Sequence, residues 1–285
     1  MKINRNLSIR GLAVAMLALS CAGTGSTAIA GNEANFVLYS HHTEPAGELE
    51  INAFNDYSRN TKGLPKYNAQ LIEIEYAFSS KLTSALYFEG QKTNGVDYQF
   101  GGLRWETRYR PFEYGTFLNP VLYVEYEHNR PDHRYLLEVV GRTDTPERPG
   151  PARTEHSVET KLILGHDFSR NLNFAFNWIN EANLDTGHWE FGYATGLNMT
   201  VYRAQSGSLG AFDLKRLKIG AEMFGGLGDS TLGLTANAHN TQQYAGLNVY
   251  GAFGNGMQVR LGAATGLTDQ SERFIGRLMV GFEMK

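Results

Sequence analysis

The sequence predicts an all-β protein, a transmembrane antiparallel up-and-down β-barrel of about twelve strands. Three observations carry that reading. Alternating apolar and polar residues recur in run after run, and a period of two is the mark of a strand with two unlike faces. Most runs hold about 10–12 residues, whereas globular strands average ~5–6 and bilayer-spanning strands need ~9–11. The connections alternate between short and long, as they do in barrels with tight turns on one side of a membrane and extended loops on the other.

The chain opens on a different signal. "MKINRNLSIR" carries Lys2, Arg5 and Arg10 without an acid, "GLAVAMLALS" is a short apolar run, and "STAIA" ends in Ala28-x-Ala30. That order predicts a secretory signal peptide over residues 1–30, cleaved before Gly31. Cleavage moves the formal net charge from −3 to −6 and removes Cys21, the single cysteine. A mature exported chain without cysteine needs no disulfide. Its mild acidity argues against a nucleic-acid partner, which calls for a basic patch. Residues 31–47 are expected as a periplasmic N-terminal segment and 48–285 as the barrel.

The alternating runs follow in order: 48–57, 67–78, 82–91, 99–110, 119–128, 155–167, 171–181, 188–202, 213–223, 243–253, 257–266 and 273–283. A weaker run at 230–238, "STLGLTANA", is assigned to a loop. An even count is usual for bacterial barrels, so twelve strands remain. "SSK" (79–81), "SRN" (169–171) and "FGNGM" (253–257) are short turns, and 129–154 is the longest connection. Its centre, "YLLEVV" (135–140), has β-propensity and is expected to extend the fifth and sixth strands above the membrane.

The two faces differ sharply. One carries Ile72, Ile74, Tyr76 and Phe78, then Leu103, Trp105 and Tyr109, then Leu122, Val124 and Tyr126, and later Phe174, Phe176, Trp178, Leu197, Met199, Leu278, Val280 and Phe282. The other carries Glu73, Glu75, Arg104, Glu106, Arg108, Glu125, Glu127, Glu159, Lys161, Lys218, Glu222, Arg260 and Arg277. The second face is too charged for a dry core, and the first is too apolar to meet water over so many strands. Both are accommodated if the apolar face meets lipid and the charged face lines a lumen, because a closed barrel pairs every backbone group in hydrocarbon. Trp105, Tyr109, Tyr126, Phe168, Trp178 and Trp189 fall near strand ends, where interfacial aromatics belong. The location implied is the bacterial outer membrane. The partners implied are outer-membrane lipid and lipopolysaccharide, with periplasmic chaperones and barrel-assembly machinery during biogenesis. The last strand, "ERFIGRLMVGFEMK", has the aromatic alternation that such machinery reads, although Glu283-Met284-Lys285 follow Phe282.

Chemistry is sparse. There is no His-x-Ser pair on one strand face and no G-x-S-x-G elbow. Asp132-His133 in the long loop is the nearest approach to an outer-rim protease pair, and a solvated loop is its plainer reading. His41-His42 with Glu44 is a fragment of a metal site, which needs three or four converging ligands. No catalytic, cofactor or metal residues are therefore predicted.

Several segments resemble an uncharacterised family of proteobacterial outer-membrane barrels. That family lies near transporters linked to aromatic-degradation (phenol meta-pathway) clusters. The segments are "TEPAGELEINAF", "IEIEYAFSSKLTSALYFEG", "YRPFEYGTFLNPVLYVEYE" and "ETKLILGHDFSRNLNFAFN". They cover about two thirds of the mature chain; the glycine-rich part after 205 does not match. The resemblance implies a twelve-strand barrel with a channel role and brings no catalytic motif. The expected function is a narrow porin-like channel for small polar or ionic solutes. The alternatives are a structural or adhesive barrel with a filled lumen, and an outer-membrane hydrolase. Acids gather on the early strands and bases on the fourth and the last few; this either sets a field across the lumen or lets the charges pair across it and plug it.

Overall fold

A computed structural model describes residues 35–59, 66–93, 97–130, 139–145, 154–204, 210–235 and 237–285. The predicted signal peptide and Asp132-His133 lie outside them. The strands are β1 (Leu49–Arg59), β2 (Tyr67–Ser79), β3 (Leu82–Thr93), β4 (Gln99–Tyr109), β5 (Val121–Asn129), β6 (Glu155–Asp167) and β7 (Leu172–Asn183). There follow β8 (Trp189–Arg203), β9 (Leu214–Asp229), β10 (Gly233–Leu234), β11 (Gln243–Phe253), β12 (Met257–Gly266) and β13 (Phe274–Met284). β10 is a two-residue ladder on the end of β9. The other twelve strands form one antiparallel barrel, each paired with its neighbours in sequence.

Closure is made by β1 and β13, in register from Leu49↔Met284 to Arg59↔Phe274. No barrel strand is left with an open edge, as hydrocarbon requires. Burial alternates residue by residue; β2 runs buried, half-buried, buried, exposed and so on to its end. The exposed members are mostly apolar and include Ile72, Phe78, Leu103, Trp105, Leu122, Leu261 and Leu278, with polar ones such as Arg59, Gln70 and Gln99. The short connections after β2, β6 and β11 lie at the end of the barrel that also holds the start of β1 and the end of β13. At Gly256, φ is +83°, a left-handed value that glycine reaches without strain.

Two segments depart from the sequence reading, and both enter the barrel. Residues 35–46 are not a tail outside it. Asn35, Phe36, Val37, Leu38, Ser40, His41, Thr43 and Glu44 are all buried, and hydrogen bonds from the segment, Tyr39 included, reach the inner faces of six strands (β4, β6, β7, β9, β12 and β13). The chain climbs from the short-turn end, where Gly47 N donates to Ala77 O at 2.8 Å. Val139–Gly141 comes from the opposite end and does not extend β5 and β6. Val140 bridges to Gly192 on β8, Gly141 N donates to Phe191 O at 3.1 Å, and Val139 is buried. Residues 135–138 of the expected extension lie outside the described residues.

Candidate functional site

The inner wall and the segment threaded through it form the candidate site. Glu222 of β9 anchors the upper part. Its carboxylate accepts from the backbone N–H of Phe36, of Val37 at 3.0 Å and of Leu38 at 3.1 Å, and from Asn248 Nδ2 at 2.7 Å. Asn177 of β7 holds the next residue in both directions: Tyr39 N donates to Asn177 Oδ1, and Asn177 Nδ2 donates to Tyr39 O, each at 2.8 Å. These bonds give the extended segment the partners that a neighbouring strand would otherwise supply. Phe36, Val37 and Leu38 pack with Val139 and with Ala175, Ala194, Phe224, Tyr244, Ala264 and Ile275 on the wall.

Small wall residues make the room. A Cβ on Gly196 would sit 3.0 Å from Leu38, one on Gly262 2.8 Å from Phe36, and one on Gly165 2.2 Å from His41. Glycine inside a strand marks a close approach by another group, and here the group is the N-terminal segment.

The Tyr39 ring lies inside the barrel against β4–β7, packed on Tyr123 with ring centroids 5.3 Å apart. Its hydroxyl donates to Glu106 Oε2 at 3.0 Å. Lys161 Nζ lies 4.7 Å and the Arg108 guanidinium 5.4 Å from its centroid, both within cation–π range.

Every charged residue singled out on the polar face lies on the barrel's inner side. Glu73, Glu75, Arg104, Glu106, Arg108, Glu125, Glu127, Glu159, Lys161, Glu222 and Arg277 are buried, while Lys218 and Arg260 are half-buried. Of the two expected arrangements, charge pairing is the one seen among these residues, and the pairs run along the wall. Arg104 bonds Glu89 on β3 and lies 3.2 Å from both Glu125 and Glu127 on β5. Arg108 pairs with Glu75 and, at 2.8 Å, with Glu106. Arg277 makes a bidentate pair with Asp56, at 2.7 and 2.6 Å, and also donates to Phe36 O at 2.5 Å. A charge beside its opposite on a neighbouring strand gains more than one facing it across water, because Coulomb attraction falls with distance and dielectric. Asp56 and Glu89 were not among the residues singled out: Glu89 follows the outward Phe88, whereas Asp56 is masked by the polar Asn55 beside it.

Between the segment and the wall lies a small cavity of ≈ 70 Å³. Glu50, Glu73, Glu75, Arg108, Arg260 and Arg277 line it together with Phe36–Tyr39. The pocket is lined by polar wall groups on one side and by the N-terminal segment on the other.

Two further groupings sit near the rims. His41 and His42 meet Asp167, at the end of β6, and not Glu44. Glu48, next to β1, is buried beside Glu44, Glu50 and Glu283. Burial, then the Glu283 charge, pushes its carboxyl up to about 7. The folded protein therefore holds this proton between the ordinary carboxylate range and neutrality, and stability is lost as pH rises through that window. Glu48→Gln is expected to leave the unfolding midpoint unchanged at acid pH. At alkaline pH it should raise stability by about 1 kcal/mol, a value reduced for partial solvation at the rim. Heat-modifiable gel migration at the two pH values measures both.

Glu222→Ala leaves three buried N–H groups without their acceptor, at about 1–3 kcal/mol each. Amide hydrogen exchange at residues 36–38 should quicken by roughly a hundredfold, while that of β1 and β13 holds. Unchanged exchange at 36–38 would mean that other contacts fix the segment.

No family model matches this chain, and no curated protein matches it. Solved structures do. An outer membrane channel from Pseudomonas putida F1 superposes with a TM-score of 0.50 at 13% identity, over 86% of this chain and 98% of that one. The KdgM porin follows at a TM-score of 0.45 and 9% identity, over 83% and 99% of the two chains. The translocator domain of the autotransporter NalP from Neisseria meningitidis gives 0.45 and 14%, over 85% and 89%. The first of these likenesses establishes the fold, an outer-membrane-type barrel.

Proposed function

We propose that this chain is a porin-like outer-membrane channel for small polar or ionic solutes, held closed at rest by its own residues 35–46. The observation that carries this reading is how the lumen is filled. A plugged structural barrel closes with side chains of its own wall, as small barrels do. Here a separate length of main chain occupies the lumen and is held by noncovalent bonds to Glu222, Asn177 and Arg277. A filling that can withdraw along its own axis leaves a charged, hydrated passage behind. Buried carboxylates on the inner wall outnumber buried basic groups, so the open state favours cations.

In this reading the signal peptide over residues 1–30 directs export, and the short-turn end faces the periplasm. The resemblance to barrels near aromatic-degradation clusters belongs to the same proposal and leaves the solute open within the polar class.

Single-channel conductance of the mature chain in a planar bilayer, under a salt gradient, tests the reading. Long closed intervals broken by steps of one size, with a cation-selective reversal potential, are expected. A membrane that stays silent with folded protein, both intact and trimmed of residues 31–46, would overturn it. The outer loops would then carry the function.

A further inference from the structure

Where the N-terminal segment crosses the short-turn end, three ligand-bearing side chains converge. His41 Nε2 lies 3.3 Å and His42 Nε2 3.1 Å from the same oxygen, Asp167 Oδ2. All three donor atoms fall within 4.8 Å of one another. Zinc bonds of ~2.0–2.1 Å in a tetrahedron put neighbouring donors roughly 3.3 Å apart. Two edges of such a set already have that length, and the third is no longer than 4.8 Å.

The surroundings orient the ligands. Asn173 Nδ2 donates to Asp167 Oδ1 at 3.1 Å, which leaves Oδ2 to the histidines. Ser40 Oγ stands 3.3 Å from His42 Nδ1, so the ring nitrogen not used for ligation has a partner. His41 Nδ1 lies 3.4 Å from Asn173 Nδ2, so ligation through Nε2 turns the Asn173 amide to present its oxygen, which has no partner, to the protonated Nδ1. Outer partners of this type fix the ring orientation of ligating histidines. Tyr114 closes one side, its ring centroid 6.2 and 6.1 Å from the two imidazoles. His41 is fully buried, whereas the Asp167 side chain is 23% exposed. An ion and a water ligand can therefore enter from the rim.

We propose that His41, His42 and Asp167 bind one divalent transition-metal ion of the zinc class, and that this ion ties the N-terminal segment to the end of β6. Two imidazoles with one carboxylate suit zinc, nickel or copper(II), while calcium and magnesium prefer all-oxygen sites. Two ligands belong to the threaded segment and one to the wall, so the bound ion holds the segment where it enters the barrel. The proposal stands whether or not the barrel conducts.

The test uses the mature chain carrying His128→Ala, because His128 and His156, with rings 4.5 Å apart, are a second histidine pair. Titration with zinc chloride in a calorimeter should give one ion per chain. His41→Ala, His42→Ala and Asp167→Asn should each weaken binding roughly tenfold or more. Copper(II) electron paramagnetic resonance should show two nitrogen ligands in the parent and one in each histidine variant, a signature that mere loosening of the segment does not produce. Zinc should also slow maleimide labelling of a Leu38→Cys variant. No saturable binding, or binding that survives both histidine substitutions, overturns the site. Labelling unchanged by zinc overturns the tie.

Discussion

Trimming residues 31–46 from the mature chain is expected to turn a barrel that is closed most of the time into one that conducts steadily. The segment contributes no strand to the barrel; its hydrogen bonds go to inward side chains, so the ladder from β1 to β13 stays complete without it. Heat-modifiable migration should therefore persist. What the wall loses is filling. Glu222, Asn177 and Arg277 then face water, and water satisfies exposed carboxylate, amide and guanidinium groups. Twelve strands lie between barrels filled by their own side chains and barrels of sixteen or more strands that stand open. Wall positions against the segment include glycine and alanine at 165, 175, 194, 196 and 262, so small side chains there leave the vacated space unfilled. Stable steps with cation preference are the expected readout, against rare openings in the intact chain. If the trimmed barrel folds and stays silent, side chains alone close it, and the N-terminal segment is a structural filling.

The barrel itself was legible in the sequence because its cause is local. Lipid on one side and polar lumen on the other force a period of two on every strand, and runs such as 67–78 and 155–167 show it without reference to any other part of the chain. Treating 230–238 as loop was right for a similar reason: "STLGLTANA" is punctuated by Gly233 and makes only a two-residue ladder on β9. What could not be read was where residues 35–46 go. Their sequence, "NFVLYSHHTEPA", fits a tail as well as a plug. The deciding partners, Glu222 and Arg277, are 186 and 241 positions away from Phe36. One signal was present. Gly165, Gly192, Gly196 and Gly262 stand at inward positions where charged or polar side chains would be the norm for a hydrated lumen. Inward glycines say that another group lies close against them: Val139 and Val140 at Gly192, the N-terminal segment at Gly165, Gly196 and Gly262. The wall pairs are a similar case. Acids and bases were placed on the correct face, but Arg104 meets Glu89 only through the β3–β4 register, which no single strand pattern specifies.

That arginine gives the largest expected effect on the barrel wall. Arg104 is almost fully buried and is the common partner of Glu89, Glu125 and Glu127. Arg104→Met keeps much of the side chain's volume and removes its charge, leaving three carboxylates together against the inner wall. Breaking a buried ion pair by taking one partner costs about 3–5 kcal/mol, because the remaining charge is both desolvated and unpaired. Denaturant unfolding in detergent micelles should show a loss of that size. Adding Glu89→Gln and Glu125→Gln to Arg104→Met should recover more than half of it, since neutral amides relieve the repulsion and still hydrogen-bond. The magnitude also reports on the lumen. A pair in open water contributes only about 0–1 kcal/mol, so a loss below about 1 kcal/mol would mean that water bathes Arg104. The threaded segment would then not keep this part of the barrel dry. A loss near the upper figure, falling once residues 31–46 are also trimmed, would show that the segment excludes water from the charged wall; the two effects would then be coupled as neighbours and not additive.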